Sequence, residues 1–276
     1  MPQLPLFETQ PLQADASDVG NVVPTRYRRF VFHSEISDGD ANRLLTSFLK
    51  SLRKLDPRAT ANLEDLMSNG PWLDMPFVCI DTETTGLDRH HNRVIEIAWV
   101  HYQGQKEISG AAYLCGHEEP LPPEITNLTG ITSEMVKNEK PFAERIPALL
   151  EAISKAAFIV AYNASFDRLF IESEFARAGL TLPEKHWIDP CVFVREIDKY
   201  QKGKRLTDAS RRWGVDLNDA HRALADAKAC GMLLYKLAPH IPAFSLPELI
   251  VQQKQWQEAQ EQSYRAYTAR KQALQF

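Results

Sequence analysis

The 276-residue sequence has no CxxC pair. Its four cysteines, Cys79, Cys115, Cys191 and Cys230, stand far apart, and Cys79 lies inside an apolar run. That spacing argues against a zinc knuckle or a disulfide framework and for reduced thiols in a cytosolic protein. No uninterrupted apolar stretch approaches the ~20 residues a bilayer requires, so no membrane partner is expected, and the N-terminus lacks the basic-then-apolar order of a secretory leader. The net charge is only −4, so no global positive field draws in nucleic acid, and any such binding needs a local patch or bound cations. Internal repeats are also lacking. The remainder is an ordinary globular composition, 44% apolar, enough to bury the core of one large or two small domains in a soluble, cytoplasmic protein.

Four segments follow from the pattern along the chain. Residues 1–25, rich in Pro, Gln, Asp and Ser without periodicity, read as a mobile tail. Residues 26–75 read as a helical N-terminal extension, in which Leu44, Leu45, Phe48, Leu49, Leu52 and Leu55 recur at spacings of three and four, the stripe of an amphipathic helix over 41–55. A second short helix is expected over 60–68. Arg26, Arg28 and Arg29, with Lys50, Arg53 and Lys54, form either a contact for a nucleic-acid backbone or a solvated face. Residues 76–240 alternate between strand and helix patterns. Strands are expected at 77–82, 93–101, 106–114, 156–162 and 187–190, and helices over 142–155, 165–178, 191–199, 204–213 and 219–238, with 127–135 as a loop. Hairpin-ordered strands followed by strand-helix-strand units predict an α/β fold, a mixed sheet with helices on both faces. Residues 241–276, Gln-rich and polar on most sides, read as a helical C-terminal extension.

Within FVCIDTETTGL, the apolar run Phe77 to Ile80 ends in Asp81, skips one residue to Glu83 and turns at Gly86. Residues i and i+2 of a strand share a face, so the two carboxylates sit side by side and repel unless a proton or cation lies between them. Alone, the pair reads first as a strand running out into a solvated acidic turn, and only with carboxylates from elsewhere in the chain as half of a metal site. Asp167 stands in the first turn of the helix after a second apolar strand, where the helix dipole favours any acid. His221 and Asp226 lie five residues apart on a late helix, neither on one face nor on opposite faces, and can flank a pocket or be ordinary surface residues.

Taken in order, D-x-E at a strand end, N-x-x-x-D after a buried strand and H-x-x-x-x-D on a late helix resemble the three motifs of the DEDDh 3′–5′ exonucleases, the superfamily of proofreading subunits and RNase T-like enzymes. The flanking Thr84-Thr85-Gly86-Leu87, Asn163-Ala164-Ser165-Phe166 and Asp219-Ala220-His221 match as well. Tyr162 stands where many relatives carry His. Arg222 occupies the place of the tyrosine in the sister group, which favours the histidine subtype. The resemblance implies a ribonuclease H-like core over 76–240 and two divalent ions, Mg²⁺ or Mn²⁺, about 3.5–4 Å apart. It further implies that Asp81 bridges both ions, that Glu83 and Asp226 complete one site, that Asp167 supports the other, and that His221 accepts the proton of the attacking water. Thr82, Thr84, Gly86, Leu87, Asn163 and Phe166 are the expected substrate contacts: the backbone near Thr82 and Glu83 for the 3′-OH, Leu87 and Phe166 for terminal bases. For Leu87 the other reading is a loop anchor, and for Phe166 a core residue.

QLPLF, Gln3 to Phe7, resembles the pentapeptide by which bacterial proteins dock on the sliding clamp, with Pro5 departing from the commonest form. Leu6 and Phe7 would enter an apolar pocket while Gln3, beside Leu4, bonds at its rim. This favours single-stranded DNA over RNA as the partner with a free 3′ end. An RNase T-like exoribonuclease and a non-catalytic nucleic-acid or polymerase adaptor are the alternative readings.

Overall fold

The computed structural model describes residues 71–217 and 220–273, all within the second of the chain's two units, 66–276. The pentapeptide Gln3, Leu4, Leu6 and Phe7, the helices expected over 41–55 and 60–68, and Asp219 lie outside the described residues.

Five strands form one mixed sheet: β1 (Phe77–Thr84), β2 (Val94–Gln103), β3 (Lys106–Leu114), β4 (Phe158–Val160) and β5 (Trp187–Ile188). Their order is β3-β2-β1-β4-β5. The first three pair antiparallel as consecutive hairpins, whereas β4 joins β1, and β5 joins β4, in parallel. The helices are α1 (Pro123–Thr129), α2 (Ser133–Val136), α3 (Phe142–Ser154), α4 (Ala164–Arg177), α5 (Pro190–Ile197), α6 (Leu206–Trp213), α7 (Ala223–Leu237) and α8 (Leu246–Ala273). The mixed α/β expectation holds.

The alternation of β1 divides the core. Val78 and Ile80 pack with Phe142 and Ile146 of α3 and Phe170, Ile171 and Phe175 of α4. Phe77 points the other way, onto Tyr102, Phe158 and Tyr235 of α7. Cys79 shares that second face, where a Cβ on Gly231 of α7 would lie 2.9 Å from the Cys79 sulfur and closer still to the Tyr102 ring. By the same parity, Asp81 and Glu83 turn toward α7, and Thr82 turns toward α4.

Two expectations need correction. The stretch 127–135 is not a loop throughout: α1 runs to Thr129 and stops at Gly130, φ 72°, and Thr132 caps α2 by accepting from the Met135 N–H. Pro123, at the first helical position, is pre-set for that conformation. The last helix of the central block begins at Ala223 rather than 219. His221 has φ 66° and Arg222 is extended, so neither can continue a helix toward the N-terminus.

The C-terminal extension docks on the sheet edge. Ser245 and Glu248 form a reciprocal cap at the start of α8: the Ser245 Oγ accepts from the Glu248 N–H, and Glu248 Oε2 accepts from the Ser245 N–H. Gln253 then satisfies the open edge of β5, accepting from the Asp189 N–H at 2.7 Å and donating to the Trp187 carbonyl at 3.0 Å. Trp72, just before β1, is buried and donates to the carbonyls of Ala243 and Phe244. Among the described residues, no helix is long and apolar enough to cross a membrane.

Candidate active site

The carboxylates converge at the C-terminal end of β1, the usual ligand edge of an α/β sheet. One oxygen each of Asp81, Glu83 and Asp226 lies within 4.8 Å of the others. Asp226, in the first turn of α7, is 9% exposed. Its Oδ2 accepts from the His221 N–H at 3.0 Å, while its Oδ1 is buried with no hydrogen-bond partner. A buried acceptor without a donor is costly. Three convergent acids that include such an oxygen fit a hard divalent cation.

Asp167, 3% exposed in the first turn of α4, approaches from the other face of β1. Its Oδ1 accepts from the Thr82 N–H at 2.9 Å and the Thr82 hydroxyl at 2.8 Å. The α4 N-terminus is held in turn by Asp189, whose two oxygens accept from the N–H groups of Asn163 (2.9 Å) and Ala164 (3.1 Å).

Burial and mutual repulsion push all four acids up. Asp81 rises well above the carboxylate range through burial, then through the charges of Asp167, Asp226, Glu83 and Glu96. Burial raises Glu83 to about 8, with Asp226, Glu96 and Asp167 adding to it and Arg222 opposing. Burial lifts Asp167 to about 7 against the Thr82 hydrogen bonds. Asp226 is raised by burial, offset by the His221 N–H and ring. Each group would ionise more readily with a cation among them.

The remaining expected residues occupy the rim. Thr82 is buried on Asp167. The Thr84 hydroxyl donates to the Gly86 carbonyl at 2.6 Å, and Thr85 exchanges two hydrogen bonds with the Arg93 backbone. Gly86 lies against Asn92, which leaves no room for a Cβ. Leu87, at the tip of this loop, is 87% exposed. Phe166 is half-buried, its ring 4.8 Å from that of Phe170, and Asn163 is exposed at φ 65°. His221 is exposed in the turn before α7. Tyr162 donates to the Lys204 carbonyl at 2.5 Å.

Sequence reasoning missed Glu96 and Asp189. The signal for Glu96 was a lone acid inside the apolar strand VIEIAWV; for Asp189 it was D-P at a helix start, where an acid caps the Cys191 N–H. A cleft of about 930 Å³ lies between α4, α5 and α8, bordered by Ser165, Arg168, Glu172, Arg195 and Tyr264. None of Asp81, Glu83, Asp167 and Asp226 lines this cleft.

Curated relatives include the PolC-type DNA polymerase III of Halalkalibacterium halodurans, 35% identical over 167 residues, covering 60% of this chain and 12% of that protein. The PolC-type DNA polymerase III of Latilactobacillus sakei is 33% identical over 161 residues, 58% of this chain and 11% of the other. The alignments thus span only about one-eighth of those relatives' length. Among solved structures, exonuclease X in complex with 5′ overhanging duplex DNA superposes at TM-score 0.51 and 22% identity, covering 64% of this chain and 99% of that one. E. coli exonuclease I in complex with a dT13 oligonucleotide gives 0.51 and 20%, covering 59% and 41%. These likenesses extend to the fold. The model of the RNase T exonuclease family matches residues 78–234 and so takes in the convergent acids and His221, and the chain belongs to that family.

Proposed function

We propose that the chain is a metal-dependent 3′–5′ exonuclease that shortens nucleic acid, DNA in preference to RNA, to nucleoside monophosphates. The observation that carries this reading is the convergence of Asp81, Glu83 and Asp226, the last with a buried oxygen that has no donor. Asp81, Glu83 and Asp226 would hold one divalent ion, and Asp81 with Asp167 a second. Mg²⁺ and Mn²⁺ both suit such oxygen ligands and supply positive charge against the phosphoryl oxygens. His221 accepts the proton of the attacking water, a task an imidazole can perform. The Thr82 hydrogen bonds fix the Asp167 carboxylate so that it need not reorganise during the reaction. Leu87 is the residue placed to pack on the terminal base without regard to sequence. The preference for DNA is supported by the relatives' names as DNA polymerases and by the QLPLF segment.

The test is digestion of 5′-labelled single-stranded DNA and the matching RNA, with Mg²⁺, Mn²⁺ or EDTA, beside Asp81→Asn. The expected result is a ladder shortening from the 3′ end, faster on DNA, absent with EDTA, and slowed at least ~100-fold in the variant. Faster loss of RNA would make the chain an exoribonuclease. No cleavage of either polymer would leave a nucleic-acid-binding adaptor.

A further inference from the structure

Glu96 has no part in the chemistry above, yet it sits at its centre. It enters from β2 directly opposite Glu83 and is 2% exposed. A carboxylate so buried needs compensation. Here it accepts from Arg222 Nη2 at 2.8 Å, from Arg222 Nε at 3.3 Å and from the Ala223 backbone N–H at 3.1 Å, which caps α7 from a neighbouring strand.

The residue before this anchor is His221, held at φ 66° in a region that non-glycine residues rarely occupy. Such a conformation persists only where the surroundings over-determine it. On the upstream side, the His221 N–H is fixed on Asp226 Oδ2; on the downstream side, residues 222 and 223 are fixed on Glu96.

We infer that Glu96 and Arg222 are positioning residues, a latch from β2 to the start of α7 that holds the left-handed turn and keeps the His221 imidazole beside the carboxylates. The inference rests on the reading of His221 as proton acceptor. Removing the latch should slow the chemical step while leaving the rim that binds the 3′ end intact.

The experiment compares the full-length wild type with Arg222→Ala, Arg222→Lys and Glu96→Gln. Its readouts are kcat and KM on 5′-labelled single-stranded DNA, hydrogen exchange of the His221 amide, and Tm. Arg222→Ala should lower kcat at least ten-fold with KM within about two-fold, and speed exchange at His221 at least ten-fold. Arg222→Lys, which keeps the charge, should recover part of both. A merely structural role would instead lower Tm and raise KM together, without rescue by lysine. If Arg222→Ala does not fold because Glu96 is left uncompensated, the double variant Glu96→Gln with Arg222→Ala carries the same expectations. A wild type active on DNA whose variants keep kcat, or keep the slow His221 exchange, would overturn the latch alone. A wild type inactive on both polymers would remove the functional reading and this inference with it.

Discussion

At the scale of single residues, the site is arranged against the stability of the cation-free fold. Glu83, at about 8, and Asp167, at about 7, hold protons in the folded chain at pH values where the unfolded chain, with carboxyls near ~4, has lost them. The sign follows directly. The folded state binds more protons, so the contribution of these groups to stability is full below pH ~4 and is lost as pH rises through 7 to 8. In EDTA, Tm should therefore fall between pH 5 and 8.5, and Mg²⁺ or Mn²⁺ should raise it more at pH 8.5 than at pH 5. A Tm indifferent to both pH and divalent ions would refute the cluster as a cation site. By the same logic, Asp81→Asn, which removes a buried acid crowded by Asp167, Asp226, Glu83 and Glu96, should raise Tm in EDTA at pH 8.5 while slowing cleavage at least ~100-fold. Leu87 offers the converse case. Its side chain is 87% exposed, so Leu87→Ala should leave Tm within about 1 °C yet raise KM for single-stranded DNA several-fold, as measured by initial rates.

At the scale of elements, the site depends on how closely α7 approaches the sheet. Gly231 lets that helix backbone lie against the Tyr102 ring and the Cys79 sulfur. Tyr102 cannot withdraw, because it is buried in an aromatic cluster and its hydroxyl donates to the Lys228 carbonyl at 3.0 Å. Gly231→Ala should therefore destabilise by about 1–3 kcal/mol in urea denaturation, as overpacking does elsewhere. It should also lower activity by displacing Asp226 from Asp81 and Glu83. The β1–β2 loop is held from the opposite side. Glu174 of α4 accepts from Arg93 at 2.8 and 2.9 Å and from Arg177 at 3.1 Å, and Arg177 also reaches the Arg89 carbonyl. Leu87 is thus carried on a braced loop.

At the scale of the whole molecule, we propose that Gln3–Phe7 docks on a bacterial sliding clamp, which would raise the local concentration of the chain on DNA that carries one. Replacing Leu6 and Phe7 by Ala should leave the rate on a free oligonucleotide unchanged and abolish binding to an immobilised bacterial sliding clamp in surface plasmon resonance. Unchanged clamp binding would reduce the segment to a stray apolar patch.

What could be read along the chain was what short-range physics writes there. The apolar runs at 77–80 and 156–162 and the glycine stop at 179 each depend on neighbours within a few positions, and together with the hairpin order of the first strands they predict the mixed sheet; Asp81, Glu83, Asp167, His221 and Asp226 stand out only through the resemblance of three motifs spread along the chain. α7 starts four residues later than the sequence pattern predicts because the His221 backbone is fixed on Asp226, five residues on, and residues 222 and 223 are fixed on Glu96 of β2, 126 and 127 residues away. Thr82 holding Asp167, Arg222 holding Glu96 and Gln253 closing β5 join positions 85, 126 and 64 residues apart. No local pattern encodes such pairs. Each follows from burial: once packing removes a carboxylate or a strand edge from water, it must find its partner in whatever the fold brings alongside.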